Sequence, residues 1–211
     1  MKTGILWDLD GTLLDTLQDL RSGVNHAMAQ FGYPARTLEE VRRFVGNGAR
    51  RLLEQSAPAG ADVDAIVKVF HAYYDVNCIG ETRPYPGIPE ALAELGEKYP
   101  MAIVSNKPHS AVTPLCDKYF SGMYARGEQP GCPRKPAPDM VYAAMKELGV
   151  ETCVYVGDSE VDVLTAQNAG VPCLTVLWGF RDREDLEKVG ATHFCEKPED
   201  LPRTIAELTG E

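Results

Sequence analysis

Residues 8–16 read DLDGTLLDT, and the apolar run Ile5, Leu6, Trp7 leads directly into them. A short apolar run that stops at two acidic residues and a glycine reads as a buried strand leaving a sheet. Three later runs end the same way: 101–104 at Ser105 and Asn106, 153–156 at Gly157 and Asp158, and 171–177 near Gly179. Helical patterns alternate with them over 88–99, 110–120, Asp139–Leu148 with Gly149 as a stop, and Glu160–Ala169 with Gly170 as a stop. Strand and helix in alternation predict an α/β fold, a doubly wound parallel sheet. In such a sheet ligands bind beyond the carboxyl ends of the strands, where strand order reverses. Every polar strand end named above is therefore predicted to face one crevice.

The stretch 16–83 breaks this rhythm, because it shows helical periodicity and no strand. Thr37 and Glu40 make a T-x-x-E capping box for a short helix running to Val45, and Val63, Ile66, Val67, Phe70 and Tyr74 recur at helical spacing. Arg83 to Gly87, RPYPG, then forms a stiff linker suited to a hinge. The predicted organisation is an α/β core from 1–15 and 84–211 with a small all-α domain, 16–83, inserted in it.

At 211 residues, with 44% hydrophobic and 25% charged residues, the composition is that of an ordinary globular protein. A formal net charge of -10 argues against a broad nucleic-acid or anionic-membrane surface, which needs clustered Lys and Arg. Any anionic ligand must be captured locally. The apolar stretch 4–7 is too short for a signal peptide or a membrane span, so a cytoplasmic location is expected. The six cysteines lack C-x-x-C spacing and read as reduced packing residues. His26, His71, His109 and His193 are isolated and receive no role, and Tyr73 and Tyr74 read as packing. No heptad seam persists, which leaves a monomer or a homodimer.

Taken alone, the D-x-D pair of Asp8 and Asp10 reads equally as turn and cap residues or as paired catalytic carboxylates. The wider pattern adds a resemblance. Asp8 and Asp10 in DLDGTLLDT, Ser105 in SNK, Lys135 in RKPAPD, and Asp158 with Asp162 in GDSEVD resemble, in order, the four motifs of the haloacid dehalogenase superfamily. The resemblance covers essentially the whole chain and implies a Rossmann-like core with an inserted helical cap. It implies a phosphatase in which Asp8 attacks phosphorus, while Asp10 protonates the leaving oxygen and then activates water. It further implies Mg2+ held by the side chains of Asp8 and Asp158 and the backbone carbonyl of Asp10, with Asp162 behind them. Elementary electrostatics agrees, since neighbouring carboxylates and a phosphate dianion repel unless a cation sits among them. Lys135 would offset charge on the transferring phosphoryl group, and Gly11, Ser105 and Asn106 would bind its oxygens.

Within the insert, VRRFVGNGARRLLEQ, 41–55, resembles the corresponding stretch of bacterial phosphoglycolate phosphatases. Two readings of Gly46, Asn47 and Gly48 stand side by side: N–H groups cradling a substrate carboxylate with Arg50 or Arg43 nearby, or a turn between helices. Thr16, Gly46, Asn47, Gly48 and Arg50 are the candidates for substrate selection. The expected ligand is a small phosphate ester, phosphoglycolate first, with pyrophosphate, sugar phosphates and nucleoside monophosphates behind it. A phosphomutase resembling beta-phosphoglucomutase and a catalytically silent binding module are the rival readings.

Overall fold

Ile5, Leu6 and Trp7 have no exposed surface, as a central strand covered on both faces requires. They form β1 (Thr3–Trp7) in a computed structural model that describes residues 2–210. The chain continues through β2 (Leu14–Asp15) into four helices, α1 (Leu17–Gln30), α2 (Leu38–Phe44), α3 (Gly48–Ser56) and α4 (Val63–Asn77), and returns by β3 (Arg83–Pro84). Then follow α5 (Ile88–Gly96), β4 (Met101–Pro108), α6 (His109–Tyr119), β5 (Tyr124–Glu128), α7 (Asp139–Leu148), β6 (Thr152–Gly157) and α8 (Glu160–Ala169). The described chain closes with β7 (Cys173–Val176), α9 (Arg183–Lys188), β8 (His193–Cys195) and α10 (Leu201–Thr209).

The main sheet has the order β5-β4-β1-β6-β7-β8, and every pairing in it is parallel. β1 pairs with β4 on one side and β6 on the other, so strand order reverses at the end of β1, where Asp8 stands. Successive side chains of a strand face opposite sides. Accordingly Ile5 and Trp7 pack in one cluster with Ile103, Val154 and Val156, whereas Leu6 packs in another with Val104, Tyr155 and Val141 of α7.

The predicted helices are present, with shifted ends: α5 stops at Gly96 and α6 begins at His109. Gly149 and Gly170 end α7 and α8 in the left-handed conformation, as their positions predicted. The capping box of α2 forms, with Thr37 Oγ1 accepting from the Glu40 N–H and Glu40 Oε2 accepting from the Thr37 N–H. Three strands differ from the sequence reading. β5 and β8 are edge strands that no apolar run announced, and the run at 171–177 narrows to Cys173–Val176. The RPYPG stretch is more than a linker: Arg83 and Pro84 pair antiparallel with Asp15 and Leu14, and the Tyr85 N–H donates to the Leu13 carbonyl. This two-stranded ribbon ties together the two ends of the helical segment, and its short edge tolerates a proline. All six cysteines are free, as expected. No described helix is long and apolar enough to cross a membrane.

Candidate active site

The ends of β1, β4 and β6 converge as the sheet topology requires. Asp8 follows β1, and its N–H donates to the Val156 carbonyl, which fixes its backbone beside β6. Lys135 Nζ lies 2.8 Å from Asp8 Oδ1 and 2.8 Å from Asp162 Oδ1, and donates to Tyr155 Oη at 3.0 Å. Burial alone would discharge this ammonium. Asp162 and then Asp8 outweigh it, so the Lys135 pKa is raised well above its usual value and the charge is kept. Asn106 clips the lysine backbone in place, accepting from the Lys135 N–H at 2.8 Å and donating to its carbonyl at 2.9 Å. The same amide nitrogen reaches the Gly46 carbonyl at 3.2 Å. The Asn106 side chain, expected at the phosphate, is thus engaged with Lys135 and with the loop between α2 and α3.

Asp158, just beyond β6, is fully enclosed: Oδ1 accepts from Thr12 Oγ1 at 3.1 Å and Oδ2 from the Phe180 N–H at 2.7 Å. Glycine is required at two points around it, because a Cβ on Gly11 or Gly179 would land on its side chain. Carboxylate oxygens of Asp8, Asp158 and Asp162 all lie within 4.8 Å of one another. Burial pushes the Asp158 pKa far up, with Asp162 and Asp8 adding to it. Burial likewise raises Asp8 to about 7, against the lowering effect of Lys135. Buried carboxylates that resist ionisation together are the donor set a hard divalent cation relieves, so these residues fit one. Asp162 is already committed, through Oδ1 to Lys135 and through Oδ2 to the Ser159 N–H and hydroxyl. Asp8 and Asp158 also reach the wall of a cavity, and Asp162 does not.

Asp10 turns the other way and pairs with Lys107, 2.8 Å from Nζ to Oδ1. Lys107 also donates to Tyr74 Oη of α4 at 2.7 Å, and only 1% of its side chain is exposed. Burial works to discharge it, but Asp10 and Tyr74 prevail and hold its pKa above the usual range. Ser105 is buried, and its Oγ accepts from the Lys107 N–H, which leaves the hydroxyl proton to donate elsewhere. The sequence reading missed Lys107, although it sits two residues after Ser105. It placed Tyr74 in packing, and the phenol does stack on Phe70 while its hydroxyl serves the site.

Asp8, Asp10, Tyr74, Ser105, Lys107, Lys135 and Asp158 line one cavity. Gly46 and Gly48 reach its wall, as do the apolar side chains Leu20, Val45, Leu52 and Phe70 of the inserted helices. Both glycines have positive φ, as a turn between helices demands, so the turn reading holds whether or not a ligand uses their N–H groups. Asn47 caps α3 without a side-chain bond and is absent from the wall, and Thr16 is buried elsewhere. Arg50 is not brought to the cavity: it is paired with Asp64 at 2.6 Å and Glu54 at 3.3 Å. Arg43 likewise stays outside, against Glu39. A cation the sequence did not signal is present instead. Arg181 lines the cavity and spans to the helices, donating to the carbonyls of Arg42 at 2.9 Å and Val45 at 2.6 Å while bound to Glu160 at 2.7 Å. Among the histidines, His109 accepts from the Gly127 N–H and His26 stacks on Tyr73, with none in the cavity wall.

A family model described as haloacid dehalogenase-like hydrolase matches residues 5–176. The chain is 36% identical to phosphoglycolate phosphatase of Caulobacter vibrioides, over 97% of this chain and 91% of that protein. It is 33% identical to phosphoglycolate phosphatase 1 of Pseudomonas aeruginosa, over 93% of this chain and 77% of that protein. Its fold superposes with a TM-score of 0.89 on a crystal structure from Lactobacillus delbrueckii subsp. bulgaricus assigned as a phosphoglycolate phosphatase. The two are 36% identical, over 97% of this chain and 99% of that one.

Proposed function

The chain belongs to the haloacid dehalogenase-like hydrolase family, and from that premise we propose that it is a Mg2+-dependent phosphatase of small phosphate monoesters. The observation that carries the reading is the pairing of Asp8 with Lys135 at the bottom of a cavity that Asp10 and Asp158 also enter. A phosphoryl group beside Lys135 has its charge offset by the ammonium, which lets an Asp8 oxygen attack phosphorus. As the P–O bond to the alcohol breaks, Asp10 gives its proton to the leaving oxygen, and Asp8 becomes an aspartyl phosphate. Water then attacks the phosphorus while Asp10 takes its proton, so that phosphate leaves and Asp8 is restored. Ser105 holds a phosphoryl oxygen, whereas the Gly11 N–H, expected there from the sequence, is spent on the Leu14 carbonyl at 2.9 Å. Mg2+ would be held by Asp8, Asp158 and the Asp10 carbonyl, and would supply the positive charge that lets a carboxylate and a phosphate approach.

The helices α1 to α4 act in this reading as a cap that keeps bulk water from the leaving group and meets the substrate beyond its phosphate. Phosphoglycolate is the first candidate ester, on the strength of the relatives that carry that activity in their names. A phosphomutase would need to keep water from the aspartyl phosphate and to hand the group to a sugar hydroxyl, and no feature of the cavity favours that. The test is phosphate release across phosphoglycolate, pyrophosphate, sugar phosphates and nucleoside monophosphates, together with p-nitrophenyl phosphate. Asp8→Asn is expected to abolish release from all of them with the fold retained. Undiminished turnover by that variant would refute the nucleophile, and activity that survives exhaustive chelation would refute the ion.

A further inference from the structure

Lys107 is a buried cation with no part in the mechanism above. Three elements meet on its ammonium: β4 supplies the lysine, the loop after β1 supplies Asp10 at 2.8 Å, and α4 of the cap supplies Tyr74 at 2.7 Å. The Tyr74 ring also lies under the charge, 4.8 Å from its centroid, and is itself held by stacking on Phe70 at 4.9 Å. A lysine stem has four rotatable bonds, so a single partner would leave its head mobile. Two partners from different elements, in a buried site, fix it. The bond engages Oδ1 of Asp10 and thereby assigns Oδ2 as the oxygen that carries a transferable proton.

We infer that Lys107, steadied by Tyr74, is the residue that orients Asp10 for proton transfer to the leaving oxygen, so that the acid is set correctly only when α4 is in place. This rests on the phosphatase reading and deepens it. Lys107 does not touch phosphorus; it acts through Asp10. During the first displacement the Asp10 proton passes from Oδ2 to the leaving oxygen as the P–O bond breaks. The carboxylate that remains keeps its Oδ1 on the ammonium, so no charge is left unpaired. A merely structural ion pair would make no distinction between leaving groups, whereas an orienting role must.

The test is single-turnover release of phenols from aryl phosphates, with enzyme in excess so that only the first displacement is read. p-Nitrophenolate departs without a proton, while phenolate, with a pKa near ~10, needs one. Lys107→Met is expected to slow phenyl phosphate about 100-fold and p-nitrophenyl phosphate by less than about tenfold, the difference being the acid contribution. Tyr74→Phe keeps the ring packing and is expected to widen the same ratio about threefold, so the inference stays testable if Lys107→Met does not fold. Equal slowing of both esters in both variants would overturn the inference and leave the phosphatase reading intact. Failure of the unmodified enzyme to release either phenol would sink that reading and this inference with it.

Discussion

Asp158 is the residue whose surroundings are most fully specified. It holds bonds from Thr12 and Phe180, and two glycines leave room for its carboxylate. Gly11 has φ of 85°, so any substitution there also strains the backbone. Gly179 carries no such requirement, and the nearest atoms to a Cβ there are those of the Asp158 side chain and, at 2.5 Å, the Gly11 carbonyl. Gly179→Ala therefore isolates the steric effect. The Mg2+ concentration for half-maximal activity is expected to rise at least about tenfold while the far-UV circular dichroism stays the same, because one displaced ligand costs on the order of 1.4 kcal/mol or more. An unchanged Mg2+ requirement would mean that Asp158 is not a ligand. Asp8, Asp10, Ser105 and Asp158 stand where buried apolar runs end, which placed them at one edge of the sheet, whereas their roles, and Lys135 altogether, were legible only through the resemblance to the four family motifs. Lys107 was not legible, since nothing in the sequence connects it to Tyr74, the partner from a distant helix that helps to bury it.

At the scale of elements, Arg181 joins the loop after β7 to the C-terminal end of α2. Its guanidinium meets carbonyls of Arg42 and Val45 that the helix itself leaves without partners, and its charge complements that end of the helix dipole. Only 12% of the side chain is exposed, so the bonds are weakly screened. Arg181→Ala is expected to speed hydrogen exchange at 45–48 and to raise KM about tenfold, with a smaller fall in kcat, since charged hydrogen bonds contribute roughly 1.5–3 kcal/mol each. Exchange at 45–48 equal to that of the unmodified protein would show that the cap closes without this arginine. Arg50→Ala, by contrast, should leave kcat/KM within about twofold, because the side chain is spent on Asp64 and Glu54 at the surface. The elements themselves divide by burial. β1, β4 and β6 are each built on a buried apolar run and announce themselves, whereas β5 reads YARGE and β8 reads HFC. Edge strands half open to solvent carry no continuous apolar run, and a two-residue ribbon such as β2 with β3 offers no period to detect.

For the molecule as a whole, the site's cost is electrostatic and depends on pH. The Asp8 pKa rises from 3.8 to about 7 in the folded protein, and Asp158 is raised as well, both chiefly by burial. Between those values the folded metal-free protein binds more protons than the unfolded chain, so its stability falls as pH rises through the window. Mg2+ competes with these protons. The increase in Tm at saturating Mg2+ is therefore expected to grow from about pH 5 to about pH 8, as read by thermal denaturation with and without the ion. A pH-independent increase would place the ion away from Asp8 and Asp158. The net charge of -10 gives no long-range help to an anionic ester, so capture depends on the local cations Lys135 and Arg181. The overall α/β plan was readable because alternation of buried strands and capped helices admits few topologies, while the meeting of cap and core through Tyr74 and Arg181 depends on contacts far apart in the chain.

The claim on which the rest depends is that Asp8 carries the phosphoryl group. Enzyme quenched in acid during turnover of p-nitrophenyl phosphate, reduced with borohydride and mapped by peptide mass spectrometry, reads this directly, because an acyl phosphate is reduced and a free carboxylate is not. The account predicts conversion of Asp8 to homoserine, dependent on substrate and lost in Asp8→Asn. Conversion at Asp10 instead, or turnover with no reducible aspartate at all, would contradict it.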